Sequence, residues 1–492
     1  MFPAYLHPML LADFYKIAHR LMYPHKTESV YSTWTPRASR LKGVQYVVNA
    51  GPQAFVIKLN SFFHHNFFRA DKAALVEDYK RVIRHTLGEK NPETKHIEDL
   101  HDLGYLPLLF KALPEGVIVP LRVPVMTVQN TDPRFFWLTN YIETLASCEL
   151  WQISTSATIA NEYRMLLEGW ARETVGNTEF VQFQGHDFSM RGMSSLESAV
   201  SSGLGHLLSF VGTDTIPAIQ AAEFFYFADV EKELIGTSIP ATEHSIQCAY
   251  GDDMEYLRQI ITRVHPTGLV SIVSDGYDFW DVIGRVLPAL KKDILFRDGK
   301  VVIRPDSGDP ADILCGDPNA EPGTLAYKGA VEALWEIFGG TMTPKGYRVL
   351  NDRIGLIYGD AITLARAEDI CVRLAQKGFA SINVVYGIGS YTYQYNTRDT
   401  FGWALKSTLC VIDGQEKQIF KDPKTDNGIK KSQKGRVAVL KDGKSYKFVD
   451  GLGLNDKIKG DQLEEIYCNG KPTVKETFSV MRARLTEARA CR

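Results

Sequence analysis

Leu269-Val270-Ser271-Ile272-Val273 runs directly into Ser274-Asp275-Gly276, and a helix-like stretch follows to Leu290. A short β-branched run that ends on a polar turn and gives way to a helix is the repeating unit of a parallel β/α fold. The unit recurs downstream. Val301–Ile303 leads into Arg304-Pro305-Asp306-Ser307-Gly308. Gly355–Ile357 leads into Tyr358-Gly359-Asp360 and a helix predicted over 364–376. Ile382–Val385 leads into Tyr386-Gly387-Ile388-Gly389-Ser390. The pattern predicts a parallel sheet or barrel with polar loops at the carboxyl ends of its strands, where such folds keep their sites. Each loop alone reads equally as turn and cap chemistry. Four in succession, bearing Asp275, Asp306, Asp360 and Gly389, read as one shared site.

The flanks follow other patterns. Ala73–Leu87 has helical periodicity stopped by Gly88, and Gly116–Val128 reads as short strands punctuated by prolines. Residues 133–150 read as one buried helix led by Asp132. Antiparallel strands are predicted at 408–412, 418–420, 436–440 and 445–449. The Pro/Gly-rich run Asp309–Thr324 reads as a loop. The chain has 492 residues and a formal charge of −2. A chain that neutral has no global pull toward nucleic acid or anionic membrane, so any anion site is built locally. Between Lys417 and Lys447 there are ten Lys/Arg against three Asp, which is where a polyanion finds cations. No apolar run approaches the roughly 18 residues of a membrane helix. The amino end, broken by Pro3, His7, Pro8 and Asp13, does not read as a signal peptide. Seven scattered cysteines with no CxxC pair point to reduced thiols in a cytosol and to no zinc framework.

Asp306 and Asp360 are hard oxygen donors suited to a ribose diol, or to Mg²⁺ carried by a phosphorylated substrate. Gly387, Gly389 and Ser390 let backbone N–H groups approach a phosphate. The third glycine of a dinucleotide fingerprint and a Walker lysine loop are both missing, which disfavours Rossmann and P-loop readings. A Schiff-base aldolase needs a strand-end lysine, and these strand ends carry Asp, Arg and Gly. Residue chemistry alone therefore indicates a cytosolic α/β enzyme for a phosphorylated sugar.

Longer motifs are more specific. His186-Asp187-Phe188-Ser189-Met190-Arg191-Gly192 precedes Gly212-Thr213-Asp214-Thr215 and Pro240-Ala241-Thr242-Glu243-His244-Ser245. Val273–Asp278, Ile303–Gly308, Tyr358-Gly359-Asp360, Thr397-Arg398-Asp399 and Phe420-Lys421-Asp422-Pro423 complete the series, with Leu10–Lys16 at the amino end. In this order, over roughly residues 8–475, the chain resembles the nicotinamide phosphoribosyltransferases of the type II phosphoribosyltransferase family.

The resemblance implies an α/β fold: an irregular β/α barrel plus a mixed, largely antiparallel β domain built from the N- and C-terminal regions. It implies an N-terminal region over 1–150, a barrel-like catalytic region over 151–398 and a β-rich C-terminal region over 399–492. The implied reaction joins nicotinamide to 5-phosphoribosyl-1-pyrophosphate, in NAD salvage, within a cytoplasmic homodimer whose sites lie at the subunit interface. Phe188 would stack on the pyridine ring, with Tyr15 of the partner subunit on its other face. Asp214 would accept the carboxamide NH₂ and repel nicotinate. Arg304 would lie near the base or hold phosphate, as would Arg191. Asp306, Gly359 and Asp360 would bind the ribose, and Gly389 and Ser390 the 5′-phosphate. Arg398, Lys406, Lys421 and Lys430 match phosphate-binding cations. His244 matches a histidine phosphorylated by ATP, the stimulatory co-substrate, with Glu243 orienting its ring. Asp13 and Asp278 match supporting residues. Mg²⁺ would enter mainly through the substrate pyrophosphate. Gly355, Tyr391 and Ala404 depart from the family pattern. Rival readings are a nicotinate phosphoribosyltransferase of the same fold and a non-catalytic binding or signalling homologue.

Overall fold

The computed structural model describes residues 5–420, 432–473 and 475–490. Lys421 and Lys430 lie outside the described residues. The chain forms two compact units. One comprises Ile159–Ala221 and Asp229–Tyr395, and the other Met1–Thr158, Ala222–Ala228 and Asn396–Arg492.

The first unit is built on a parallel sheet of six strands. Their order is Gly212–Thr213, Gly185–Asp187, Val384–Ile388, Ile354–Tyr358, Asp298–Arg304 and Thr267–Val273. Val270, Ile272, Val301, Ile303, Leu356, Val384 and Ile388 are buried. Strands covered by helices must be apolar on both faces, which is why they read as continuous apolar runs. The segment 237–242 joins the two edges of the sheet. Thr237 bridges to Gly212 at one edge and Ala241 to Ser271 at the other. The Thr213 N–H donates to the Thr237 carbonyl at 3.0 Å, and the Ser271 N–H to the Pro240 carbonyl at 2.8 Å. The sheet thereby closes into an irregular barrel.

Helix Leu364–Gln376 illustrates how the sequence sets the outer layer. Ala367, Ile370, Cys371 and Leu374 form its buried stripe, and the Thr363 side chain caps it by accepting the Arg366 N–H. The run 309–324 is more ordered than a loop. Asp309 accepts the N–H groups of Ala311 and Asp312 at 2.9 and 3.2 Å and starts a helix over Pro310–Cys315. Pro310 suits that first turn because its missing N–H has no partner there.

The second unit carries an antiparallel sheet of seven strands. The order is Gln415–Gln418, Ala404–Ile412, Thr27–Thr35, Met126–Asn130, Leu108–Ala112, Glu464–Cys468 and Lys471–Pro472. Three amino-terminal strands therefore form the middle of the sheet, and two carboxyl-terminal strands flank them on either side. Trp34 and Trp403, both buried, stack with centroids 5.2 Å apart. The expected helix over 133–150 is instead three short pieces, Pro133–Phe135, Leu138–Tyr141 and Glu143–Glu149. Its aromatic and β-branched residues are weak helix formers, so side-chain packing breaks the axis. Glu115 is fully buried in this unit and accepts from the Gly51 N–H, the Gln53 N–H and the Tyr226 hydroxyl at 2.6, 2.7 and 2.9 Å. Among the described residues six cysteines are free, and no helix is long and apolar enough to cross a membrane.

Candidate active site

Register places the first group of side chains in the barrel unit. His186 pairs with Gly387 on one side and Gly212 on the other. The Phe188 N–H donates to the Ile388 carbonyl at 3.0 Å and the Asp214 N–H to the Asp187 carbonyl at 2.9 Å. The His186 and Phe188 rings meet edge-on, 4.7 Å between centroids. His186 Nε2 lies 2.9 Å from Asp214 Oδ1, and Ser238 Oγ donates to the same oxygen at 2.6 Å. Burial pushes the Asp214 carboxyl up, but the bonds to His186 and Ser238 and the charge of Arg304 outweigh it and hold it below its usual range. Asp214 is thus an ionised acceptor, with its side chain 47% exposed.

Two glycines permit this crowding. A Cβ on Gly387 would lie 2.5 Å from the Phe188 ring and 2.9 Å from Gly359 Cα. A Cβ on Gly359 would lie 2.2 Å from Asp306 Oδ1. Only the absence of a side chain lets ring, backbone and carboxylate meet. At Gly355 the aliphatic stem of Lys300 reaches to 3.3 Å from where a Cβ would stand.

Asp275 organises a second group. Its Oδ1 accepts from His244 Nε2 at 2.9 Å, and its Oδ2 accepts from the Asp306 N–H and Ser307 Oγ at 2.9 and 2.6 Å. Burial raises its carboxyl, yet the bonds from Ser307, Asp306 and His244 bring it below the ordinary value. Asp306 shifts the other way. Burial pushes it up against the opposing charge of Arg304, with Asp275 and Asp360 reinforcing the rise. Asp306 Oδ1 is buried with no hydrogen-bond partner, so it is available to a donor on a ligand. Arg304 Nε stands 3.3 Å from Asp306 Oδ2, and Arg304 Nη2 donates to the Thr242 carbonyl at 2.9 Å.

Arg304, Asp306, Gly359 and Asp360 therefore meet at neighbouring strand ends, with His244 joined to them through Asp275. Glu243, expected on the imidazole, accepts instead from Ser245; the partner of the ring is Asp275. Asp278 caps the turn Phe279–Asp281, accepting from Trp280 and Asp281 N–H groups at 2.9 and 3.2 Å. Arg191 is exposed on the turn Met190–Gly192. The Ser194 N–H just beyond donates to Gln394 Oε1 at 2.7 Å, tying this turn to the segment that carries Gly389 and Ser390.

Within the other unit, Asp13, Tyr15, Arg398 and Lys406 form a separate charged group. Thr144 Oγ1 donates to Asp13 Oδ2 at 2.7 Å, and Lys406 Nζ pairs with Glu143 Oε1 at 2.8 Å. The Tyr15 hydroxyl is raised by burial and by the charges of Asp13 and Glu143, with Arg398 opposing; the residue itself is exposed.

The sequence assigns no role to His186 or Ser238, and it places Asp275 in the shared strand-end site without indicating its partners. His186 and Asp275 stood inside quoted motifs, but Ser238 carried no signal. Among the described residues no group of three or more His, Cys, Asp or Glu could hold a metal ion. The oxygen with room for one more partner is Asp306 Oδ1, which fits a substrate hydroxyl or a substrate-borne cation.

The pattern of the nicotinate phosphoribosyltransferase (NAPRTase) family matches residues 183–471. The chain is 50% identical to a nicotinamide phosphoribosyltransferase of Acinetobacter baylyi, covering 98% of this chain and 97% of that one. It is 36% identical to a nicotinamide phosphoribosyltransferase of Mycoplasma pneumoniae, over 86% and 93% of the two chains. In fold it resembles human nicotinic acid phosphoribosyltransferase, with a TM-score of 0.55 and 15% identity over 97% and 93% of the two chains. It likewise resembles a nicotinate-nucleotide pyrophosphorylase from Pyrococcus furiosus, with a TM-score of 0.56 and 14% identity over 99% and 98%. With motif order, strand-end geometry and relatives in agreement, this chain belongs to the nicotinate phosphoribosyltransferase family.

Proposed function

We propose that this chain condenses nicotinamide with 5-phosphoribosyl-1-pyrophosphate to nicotinamide mononucleotide and pyrophosphate, in NAD salvage. The observation that carries the reading is Asp214, held ionised and half-open by His186, whose ring packs on Phe188. An ionised carboxylate accepts a carboxamide NH₂ but repels nicotinate. Two like charges about 4 Å apart at an effective dielectric near 20 repel by roughly 4 kcal/mol. Solvent at a half-exposed group reduces that, yet about 1.4 kcal/mol already gives tenfold selection.

Phe188 stacks on the base, and Tyr15 of the partner subunit covers the other face in a homodimer. The pyridine nitrogen attacks C1 of the ribose while the C1–oxygen bond to pyrophosphate breaks, so no proton has to move. Asp306 Oδ1, Gly359 and Asp360 orient the ribose hydroxyls. Arg191, Gly389 and Ser390 hold phosphate, with Arg398, Lys406, Lys421 and Lys430 as further cations. Mg²⁺ carried on the pyrophosphate would neutralise the leaving charge. ATP would stimulate the reaction by giving its γ-phosphoryl group to His244, the bond to the β-phosphate breaking and ADP leaving; Asp275 orients the ring. A cytoplasmic location goes with this reading, since the free cysteines among the described residues suit a reducing compartment.

The test is base competition. With phosphoribosyl pyrophosphate and Mg²⁺, the purified protein is given equimolar nicotinamide and nicotinate, and the mononucleotides are separated by mass. The amide product should dominate; dominance of the acid product would replace this reading with nicotinate phosphoribosyl transfer.

A further inference from the structure

Nicotinamide selection by Asp214 raises a question that the carboxylate alone does not answer. A carboxylate on a loop can rotate, and it can take up a proton. Either change lets it donate to, or turn away from, a carboxylate base. In Asp214 both changes are opposed. Its Oδ1 receives two donors, His186 Nε2 at 2.9 Å and Ser238 Oγ at 2.6 Å. The ionised carboxylate has no hydrogen to give, so His186 Nε2 carries the proton in this pair. Both donors converge on Oδ1 of a half-exposed side chain, which leaves Oδ2 as the oxygen to offer a ligand.

The two donors differ in how firmly they are set. Ser238 is exposed, on the segment that closes the barrel. The His186 side chain is 11% exposed, belongs to a strand paired on both sides, and packs its ring against Phe188. One imidazole therefore touches both the ring that would stack on the base and the carboxylate that would read its amide.

We infer that His186 is a specificity-determining positioning residue: its Nε2–H pins Asp214 by Oδ1, so that Oδ2 is presented to the base as a fixed, unprotonated acceptor. The inference rests on the nicotinamide reading above and deepens it. His186 would touch neither the ribose nor pyrophosphate. Its loss should appear in base binding and base choice, and leave use of phosphoribosyl pyrophosphate alone.

The experiment compares the parent with His186→Leu, which removes the donor, and His186→Gln, which returns an N–H near the Nε2 position. KM and kcat for nicotinamide and nicotinate, and KM for phosphoribosyl pyrophosphate, are measured for each, with melting curves as a control. A lost hydrogen bond to a charged group corresponds to roughly tenfold or more. His186→Leu should raise KM for nicotinamide by about that factor and lower the amide-over-acid ratio similarly. KM for phosphoribosyl pyrophosphate should move less than about twofold, and His186→Gln should recover most of the ratio. His186→Leu combined with Asp214→Ser should be no less selective than Asp214→Ser alone, because the pinned group is gone. Where His186→Leu does not fold, His186→Phe keeps an aromatic ring against Phe188, removes the Nε2–H and should lower the ratio in the same direction. A parent that prefers nicotinate overturns the underlying reading. A parent that prefers nicotinamide, with an unchanged ratio in His186→Leu or, if that variant does not fold, in His186→Phe, overturns this inference alone.

Discussion

Asp275 Oδ1 accepts the Nε2–H of His244 at 2.9 Å while its other oxygen holds the Asp306 backbone and the Ser307 hydroxyl. With Nε2 so engaged, Nδ1 is the ring nitrogen whose lone pair is free. A phosphoryl group from ATP should therefore reside on Nδ1. Phosphorus NMR of protein incubated with ATP and Mg²⁺ distinguishes the two isomers. His244→Ala should lose stimulation by ATP and keep basal synthesis; intact stimulation in that variant would refute the assignment.

Replacing Asp275 should do more than replacing His244. Asp275→Asn keeps the shape but removes the charge that orients the imidazole and supports the Asp306 backbone. The loss of charge-assisted bonds predicts roughly a ten- to hundredfold fall in kcat/KM, with ATP coupling lost as well. Steady-state kinetics with and without ATP check both effects.

Asp214→Ser removes the repelling charge and retains a small polar group. Its amide-over-acid preference should fall at least about tenfold. If a base-competition assay returns the parental ratio, Asp214 does not read the amide.

Gly387→Ala would place a methyl group 2.5 Å from the Phe188 ring. The methyl would also lie 2.9 Å from Gly359 Cα, so backbone as well as ring would have to shift. Overpacking of this kind costs roughly 1–3 kcal/mol. The melting temperature should drop and KM for the base should rise, while a neutral result in both would mean that the ring tolerates displacement.

Glu115 gives a pH prediction for stability. Burial pushes its carboxyl up, against the Gln53 and Gly51 N–H groups and the Tyr226 hydroxyl, to about 7. The folded state thus binds this proton more tightly than the unfolded chain, where a carboxyl titrates near 4.5. The stabilising contribution is complete below about pH 4.5 and is lost as pH rises toward 7, on the order of 3 kcal/mol over the window. Denaturant titrations across pH 4.5–7.5 should show a slope that Glu115→Gln flattens.

What the sequence makes legible follows from periodicity. The apolar runs at 269–273, 301–303 and 355–357 fall within observed strands, because two-sided burial leaves no alternation to misread. The run at 382–385 begins too early. Asn383 accepts the Leu350 N–H and donates to the Arg348 and Ala380 carbonyls, which folds Ser381–Asn383 into a turn before the strand begins. The strand-end carboxylates could be anticipated because loop position alone selects them. The pairings among them could not. His186 and Asp214 are brought together by strand register, and Ser238 by the closure of the barrel, and neither relation leaves a local mark on the chain. Asp275 was visible as a loop residue, but its role depends on which side chain reaches it, and Glu243 sits nearer to His244 in sequence while bonding elsewhere.

The segment that closes the barrel has a consequence for how this enzyme can vary. Ser238 at one end touches the group that would recognise the base, and Thr242 and His244 at the other reach Arg304 and Asp275. Chain of that length spans at most roughly 20 Å. It acts as a fixed ruler between the two halves of the chemistry. A single-residue insertion within it would change the distance between its ends, so the surroundings of Asp214 and of Asp275 should be disturbed together.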